Sequence, residues 1–158
     1  MNKVFVTGAT GYIGSSVAQA FRNAGYEVWG LTRSEAKASQ LAQQEIHPVL
    51  GSMQEPESYA NAASQADVLV QAAVDYQNGT AELDSLTVNT LLSIAKPGTV
   101  LLYTSGVWVL GNTNGQPVNE SAPLAPAKAV AWRPQVEQKV MAASQVRGVV
   151  LRPGVVYG

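Results

Sequence analysis

Val4-Phe5-Val6-Thr7-Gly8-Ala9-Thr10-Gly11-Tyr12-Ile13-Gly14 runs an apolar, β-branched segment straight into three glycines spaced by two residues. The segment reads as strand, tight turn and helix. Gly8 allows the backbone to turn sharply, Gly11 leaves room for a pyrophosphate to approach the main chain, and Gly14 lets the new helix pack closely on its strand. The helix N-terminus then faces the phosphates, where unpaired N–H groups and the positive dipole end favour an anion without any charged side chain. Thr10, Tyr12 and Ile13 bracket that turn and belong to the same expected cofactor site.

Outward from this stretch, strands and helices alternate. Ile13, Val17 and Phe21 repeat at helical spacing up to Gly25. Val28, Trp29 and Leu31 form a second strand, and Ser34 caps a helix to about Gln44. Pro48 to Leu50 reads as a short third strand, and Pro56 opens a helix with Tyr59, Ala62, Ala63 and Ala66 on one face. Val68-Leu69-Val70 is a continuous apolar run of the kind buried on both faces of a sheet. A helix from about Thr80 to Ala95 presents Leu83, Leu86, Leu91 and Ile94 inward. Val100 to Thr104 is a fifth strand and Gly148 to Arg152 a sixth. Such alternation requires an α/β fold with a parallel sheet, right-handed crossovers make it doubly wound, and the expected strand order is 3-2-1-4-5-6.

The spacing Thr-Gly-x-x-Gly-x-x-Gly resembles the motif of the extended short-chain dehydrogenase/reductases, the NAD-dependent epimerase/dehydratase-like enzymes. Pro117-Val118-Asn119-Glu120-Ser121-Ala122-Pro123 is similar to that family's Pro-x-x-Glu-x-x-Pro segment. Arg152-Pro153-Gly154-Val155-Val156-Tyr157-Gly158 resembles the motif that lies beside the nicotinamide. The resemblance implies an NAD(P)-binding Rossmann domain spanning 1–158, with a smaller C-terminal substrate lobe absent from this chain. It further implies that Gln71-Ala72-Ala73 passes the adenosine half of the cofactor and that Gly51-Ser52-Met53 stands where an adenine-contacting aspartate is usual.

An NAD-preferring site carries Asp or Glu after the second strand for the ribose 2′-hydroxyl, whereas Thr32, Arg33 and Ser34 follow it here. Arg33, with Ser34 and Lys37 beside it, suits a 2′-phosphate, so the expected cofactor is NADP, with NAD as the alternative. At the chemistry itself the resemblance fails. Alignment on Gly111 puts Gly106 where the family's Ser or Thr belongs, and alignment on Glu137 puts Ala129 at the general-acid tyrosine and Arg133 at the lysine. Pro134 also favours a helix starting near itself, because a proline in a helix interior lacks the N–H and clashes with the carbonyl one turn back. No catalytic residue is assigned. Arg133 and Pro153 are expected to contact cofactor, Trp108 and Trp132 to line a pocket or fill core, and Tyr157 is a remote alternative proton source. The loop Gly111 to Lys128 reads as an active-site rim.

Three functions fit: an oxidoreductase domain with a degenerate Ser/Tyr/Lys site, an NADP-binding sensor like NmrA, and an active reductase or epimerase using substitute groups for an unknown small-molecule substrate. A net charge of -1 gives no basic surplus for nucleic acid or a membrane surface. Charged residues make up 13% of the chain, against roughly 25% in typical domains, so part of the surface is expected to be covered, and a homo-oligomer is left open. There is no cysteine, and a lone His47, expected in a connecting segment, cannot hold a metal by itself. With no apolar run long enough for a bilayer, the chain reads as cytoplasmic.

Overall fold

The computed structural model describes residues 2–157, so Gly158 of the terminal motif lies outside the described residues. Six strands, β1 (Lys3–Thr7), β2 (Glu27–Thr32), β3 (His47–Leu50), β4 (Val68–Gln71), β5 (Val100–Thr104) and β6 (Arg147–Leu151), form one sheet in the order β3-β2-β1-β4-β5-β6. Every pairing is parallel. The expected doubly wound order is therefore the observed one. Between the strands run α1 (Tyr12–Asn23), α2 (Glu35–Gln43), the short α3 (Ala60–Ala63), α4 (Thr80–Ile94) and α5 (Arg133–Ala142).

Side-chain alternation along the strands splits the core into two layers. Phe5, Leu69, Leu101 and Tyr103 face Ala63, Val88, Leu91, Val136 and Val140, from α3, α4 and α5. Val4, Val6, Val28 and Val70 face Ala18 and Leu41, with Val17 and Phe21 against them, from α1 and α2. Two-sided burial explains why β1 and β4 carry apolar runs rather than an alternating pattern.

Several local expectations are corrected. The segment from Pro56 folds as a 3₁₀ turn (Pro56–Ser58) followed by one turn of α-helix, not as one regular helix. Leu86 on α4 points outward, and Asp84, Thr87 and Val88 are buried instead. His47 opens the edge strand β3, its exposed ring tilted against Trp29 at 5.3 Å. Ser34 does cap α2, its hydroxyl accepting from the Lys37 N–H at 3.4 Å. α5 begins at Arg133 with Pro134 in its first turn, where a missing N–H costs nothing.

Candidate functional site

The carboxyl ends of the parallel strands open into a groove of about 840 Å³. Its floor is the glycine turn. Gly8 has a φ of +69°, and a Cβ there would stand 2.8 Å from the Ala72 carbonyl oxygen. A Cβ on Gly14 would lie 2.1 Å from the Gly8 oxygen, so α1 can sit on its strand only if residue 14 is glycine. Gly11 differs from both. The only atom a Cβ there would approach is the Gly8 oxygen, at 3.3 Å, so its bareness serves open space rather than packing. α1 starts behind Gly11 with no side-chain cap and no acidic residue in its first turn, which leaves its first N–H groups and dipole free for an anion.

The structure brings the other expected cofactor residues to the same groove: Thr10, Tyr12, Ile13, Arg33, Ser34, Ala72, Ala73, Arg133 and Pro153 all line it. Arg33 is 66% exposed at the end beside β2 and donates to Asp75 Oδ2 at 3.1 Å. Three hydrogen bonds shape the loop that carries Asp75: to its carboxylate from Gln77 N–H and Asn78 Nδ2, and to its backbone carbonyl from Thr80 Oγ1. The two carboxylate bonds, and after them the Arg33 charge, hold the Asp75 pKa below its ordinary value. The Ser52 hydroxyl accepts from the Gln54 N–H at 3.2 Å.

At the opposite end stand the positions that the resemblance assigns to the reacting side chains. Gly106 has an extended backbone with φ 177°, and the nearest atom to a Cβ there is the Pro153 carbonyl oxygen at 3.9 Å. Ser105, one place earlier, donates its hydroxyl hydrogen bond to Glu137, which is also gripped by Arg152 Nη2 at 2.6 Å. That carboxylate pushes the Arg152 pKa up. Ala129 sits in a 3₁₀ turn, Lys128–Val130, outside α5, so the regular helical spacing of a tyrosine and lysine four apart is absent. Arg133 donates from Nη1 to the Thr104 carbonyl at 2.7 Å and stacks on Trp132, while its Nε is buried without a partner.

Asp84 is a residue that sequence reasoning missed. Its buried carboxylate accepts from Gln71 Nε2 at 2.9 Å, Tyr103 OH at 2.5 Å and Trp132 Nε1 at 2.8 Å, tying α4 to β4, β5 and the entrance of α5. Trp132 is thus part of the frame, whereas Trp108 is half exposed on the groove wall. Burial, reinforced by the Asp84 charge, drives the Tyr103 pKa far up. Tyr157 is 88% exposed and is not among the residues lining the groove. The loop Gly111 to Lys128 contributes none of the residues lining the groove but lies beside it. It packs on the groove wall through Ala125 N–H to the Val109 carbonyl and Ala127 N–H to the Trp108 carbonyl, both at 3.1 Å.

Comparison with known proteins agrees with this geometry. The family described as NAD dependent epimerase/dehydratase matches residues 4–158, and the chain belongs to that family; it is an NAD(P)-binding domain of the oxidoreductase and epimerase type. A 4-hydroxy-2-methyl-3-oxo-4-farnesyl-3,4-dihydroquinoline-1-oxide ketoreductase from Stigmatella aurantiaca is 30% identical over 99% of this chain and 51% of its own length. UDP-N-acetylglucosamine 4-epimerase from Bacillus cereus superposes with a TM-score of 0.74 at 19% identity, over 96% of this chain and 60% of that one. Yeast methylglyoxal/isovaleraldehyde reductase complexed with NADPH gives 0.73 at 12%, over 99% and 58%. The chain spans about half the length of the first curated relatives it matches. Among the described residues, no helix is long and apolar enough to cross a membrane and no acid or histidine cluster could hold a metal.

Proposed function

We propose that this domain binds NADP in preference to NAD and serves an oxidoreductase or epimerase whose proton-transferring groups are not the usual Ser, Tyr and Lys. The observation that carries the reading is the bare cradle at Gly11 with an exposed guanidinium, Arg33, farther along the same groove. The pyrophosphate takes the N–H groups at the start of α1, with Thr10, Gly11, Tyr12 and Ile13 around it. The adenosine half runs past Ala72 and Ala73, and Arg33 with Ser34 meets the 2′-phosphate. Pro153 and Arg133 close on the nicotinamide half, which supplies hydride transfer when bound.

Arg133 brings a guanidinium charge there, with donors for the cofactor and no acceptor for a proton. With glycine at 106 and alanine at 129, this chain by itself binds the dinucleotide without turning over a carbonyl substrate. The substrate lobe and any self-association are proposed to lie with the rest of the protein. NADPH and NADH are titrated by fluorescence against the parent chain and Arg33→Ala. The expected result is NADPH about tenfold tighter than NADH, and a similar loss for NADPH alone in the variant, the worth of a hydrogen bond to a charged group. Equal affinities in the parent, or an unchanged NADPH affinity in the variant, refute the assignment.

A further inference from the structure

Arg33 and Asp75 reach the adenosine end of the groove from two loops 42 positions apart, one after β2 and one after β4. Their environments differ. Asp75 is 10% exposed and is held without help from Arg33: the Gln77 N–H donates to Oδ1 and Asn78 Nδ2 to Oδ2, each at 2.9 Å, and Thr80 Oγ1 donates to its carbonyl at 2.7 Å. Arg33 is largely exposed, and among the described residues Asp75 is the side chain it bonds. Asp75 is also the one carboxylate among the residues lining the groove, where the cations are Arg33, Lys37 and Arg133.

We propose that Asp75 is a specificity-determining residue that competes with the 2′-phosphate of NADP for the Arg33 guanidinium. The proposal rests on the reading that Arg33 meets that phosphate. A phosphate monoester carries most of two negative charges at neutral pH, so docking it on a guanidinium already engaged by a carboxylate brings like charges together. Part of the gain from the new bonds is spent on that repulsion, or Arg33 must swing away from Asp75. NAD has no such phosphate, and its ribose 2′-hydroxyl can donate to a carboxylate. Asp75 therefore narrows the preference for NADP that Arg33 creates, and brings an acid to the ribose end from a different strand than the one that usually carries it.

The experiment measures NADPH and NADH affinities for the parent chain, Asp75→Asn, Asp75→Glu, Arg33→Ala and the double variant Arg33→Ala with Asp75→Asn, by titration at low and at high salt. Asparagine keeps an oxygen for the Gln77 N–H while removing the charge, and thermal melting confirms that each variant is folded. Asp75→Asn is expected to bind NADPH about three- to fivefold more tightly, as suits a charge pair whose guanidinium lies in solvent, with NADH unchanged or weaker. Asp75→Glu should show no such gain, the gain should shrink at high salt, and it should largely vanish when Arg33 is already alanine. An NADPH affinity that stays the same or falls in Asp75→Asn overturns the competition. So does an equal gain in the Arg33→Ala background, which would mean that the carboxylate acts without Arg33. An Arg33→Ala chain that binds NADPH as well as the parent overturns the earlier reading and this one together, whereas a weakened Arg33→Ala beside an unimproved Asp75→Asn overturns only this one.

Discussion

At the end of the groove proposed to take the pyrophosphate the surface is main chain, shaped by glycines; at the end proposed to take the nicotinamide, Gly106 and Ala129 stand at the positions the resemblance gives to a hydroxyl and a phenol. The frame behind each end is intact. Gly8 and Gly14 are demanded by packing, since an added Cβ at either would lie within 3.0 Å of backbone atoms. Gly106 is not demanded by anything nearby, because its backbone is extended and a side chain would meet open groove. The absence of a hydroxyl at 106 is thus no requirement of the fold. At Gly8 and Gly14 a side chain would force the turn to rebuild and at Gly11 it would block the approach, whereas at 106 a side chain can change the chemistry while Glu137, Arg152 and Asp84 go on holding the strands and helices in place.

The sharpest way to break the comparison is Gly11→Val. Residue 11 has a φ of -90° and a ψ of 172°, a backbone that valine adopts readily, and the nearest obstacle to its Cβ is one carbonyl oxygen at 3.3 Å. The variant should fold, with a melting temperature within a few degrees of the parent. Binding of either dinucleotide should fall by more than about 100-fold, because the side chain fills the approach to the α1 N–H groups. Calorimetry and thermal melting on the same sample read the two effects separately. A folded Gly11→Val that still binds cofactor would place the phosphate site elsewhere.

The nicotinamide end should respond in the opposite sense, losing stability rather than binding chemistry. Glu137 is buried, accepts from Ser105 and faces Arg152, whose side chain is 20% exposed. Glu137→Ala strands that guanidinium and leaves the Ser105 hydroxyl without its acceptor, and breaking one side of such a pair costs about 3 kcal/mol or more. Urea unfolding should show that loss, while Glu137→Gln, which keeps an acceptor oxygen, should recover part of it. A Glu137→Ala chain as stable as the parent would mean that this pair is not what holds α5 to β6.

How far these two ends could be read without coordinates follows the same division. The glycine turn, the Ser34 cap and the start of α5 near Pro134 depend on residues close together in the chain, and local spacing reveals them, while the strand order was expected from the alternation of elements and the handedness of crossovers. Asp84 was hidden because an acid on a helix is normally solvated, and its three donors lie at positions 71, 103 and 132. A signal existed: Asp84, Val88 and Leu91 share one buried stripe of α4, so an acid stood in an apolar row where Leu86 had been read as the inward residue. The pairing of Arg33 with Asp75 gave no local signal. The bonds that seat the loop on the groove wall gave no local signal either, since they join Ala125 and Ala127 to the main chain of Val109 and Trp108.

The smallest expected effect concerns acid and the adenosine end. Hydrogen bonds from Asn78 and the Gln77 N–H, with Arg33 adding to them, lower the Asp75 pKa from its ordinary 3.8. A carboxyl whose folded pKa is depressed stabilises the fold fully above the unfolded value, and that contribution is lost as pH falls through the depressed folded value. The parent chain should therefore melt slightly higher than Asp75→Asn at neutral pH, and the difference should begin to shrink below pH 3.8 as protons bind the unfolded carboxyl first. Because the pair is exposed on its Arg33 side, added salt should reduce the neutral-pH difference as well. Melting curves of the two chains in parallel acid series read this directly, and a difference that widened as the pH fell would mean that Asp75 is destabilised as a carboxylate and that its bonds to the Gln77 N–H and Asn78 do not hold it in solution.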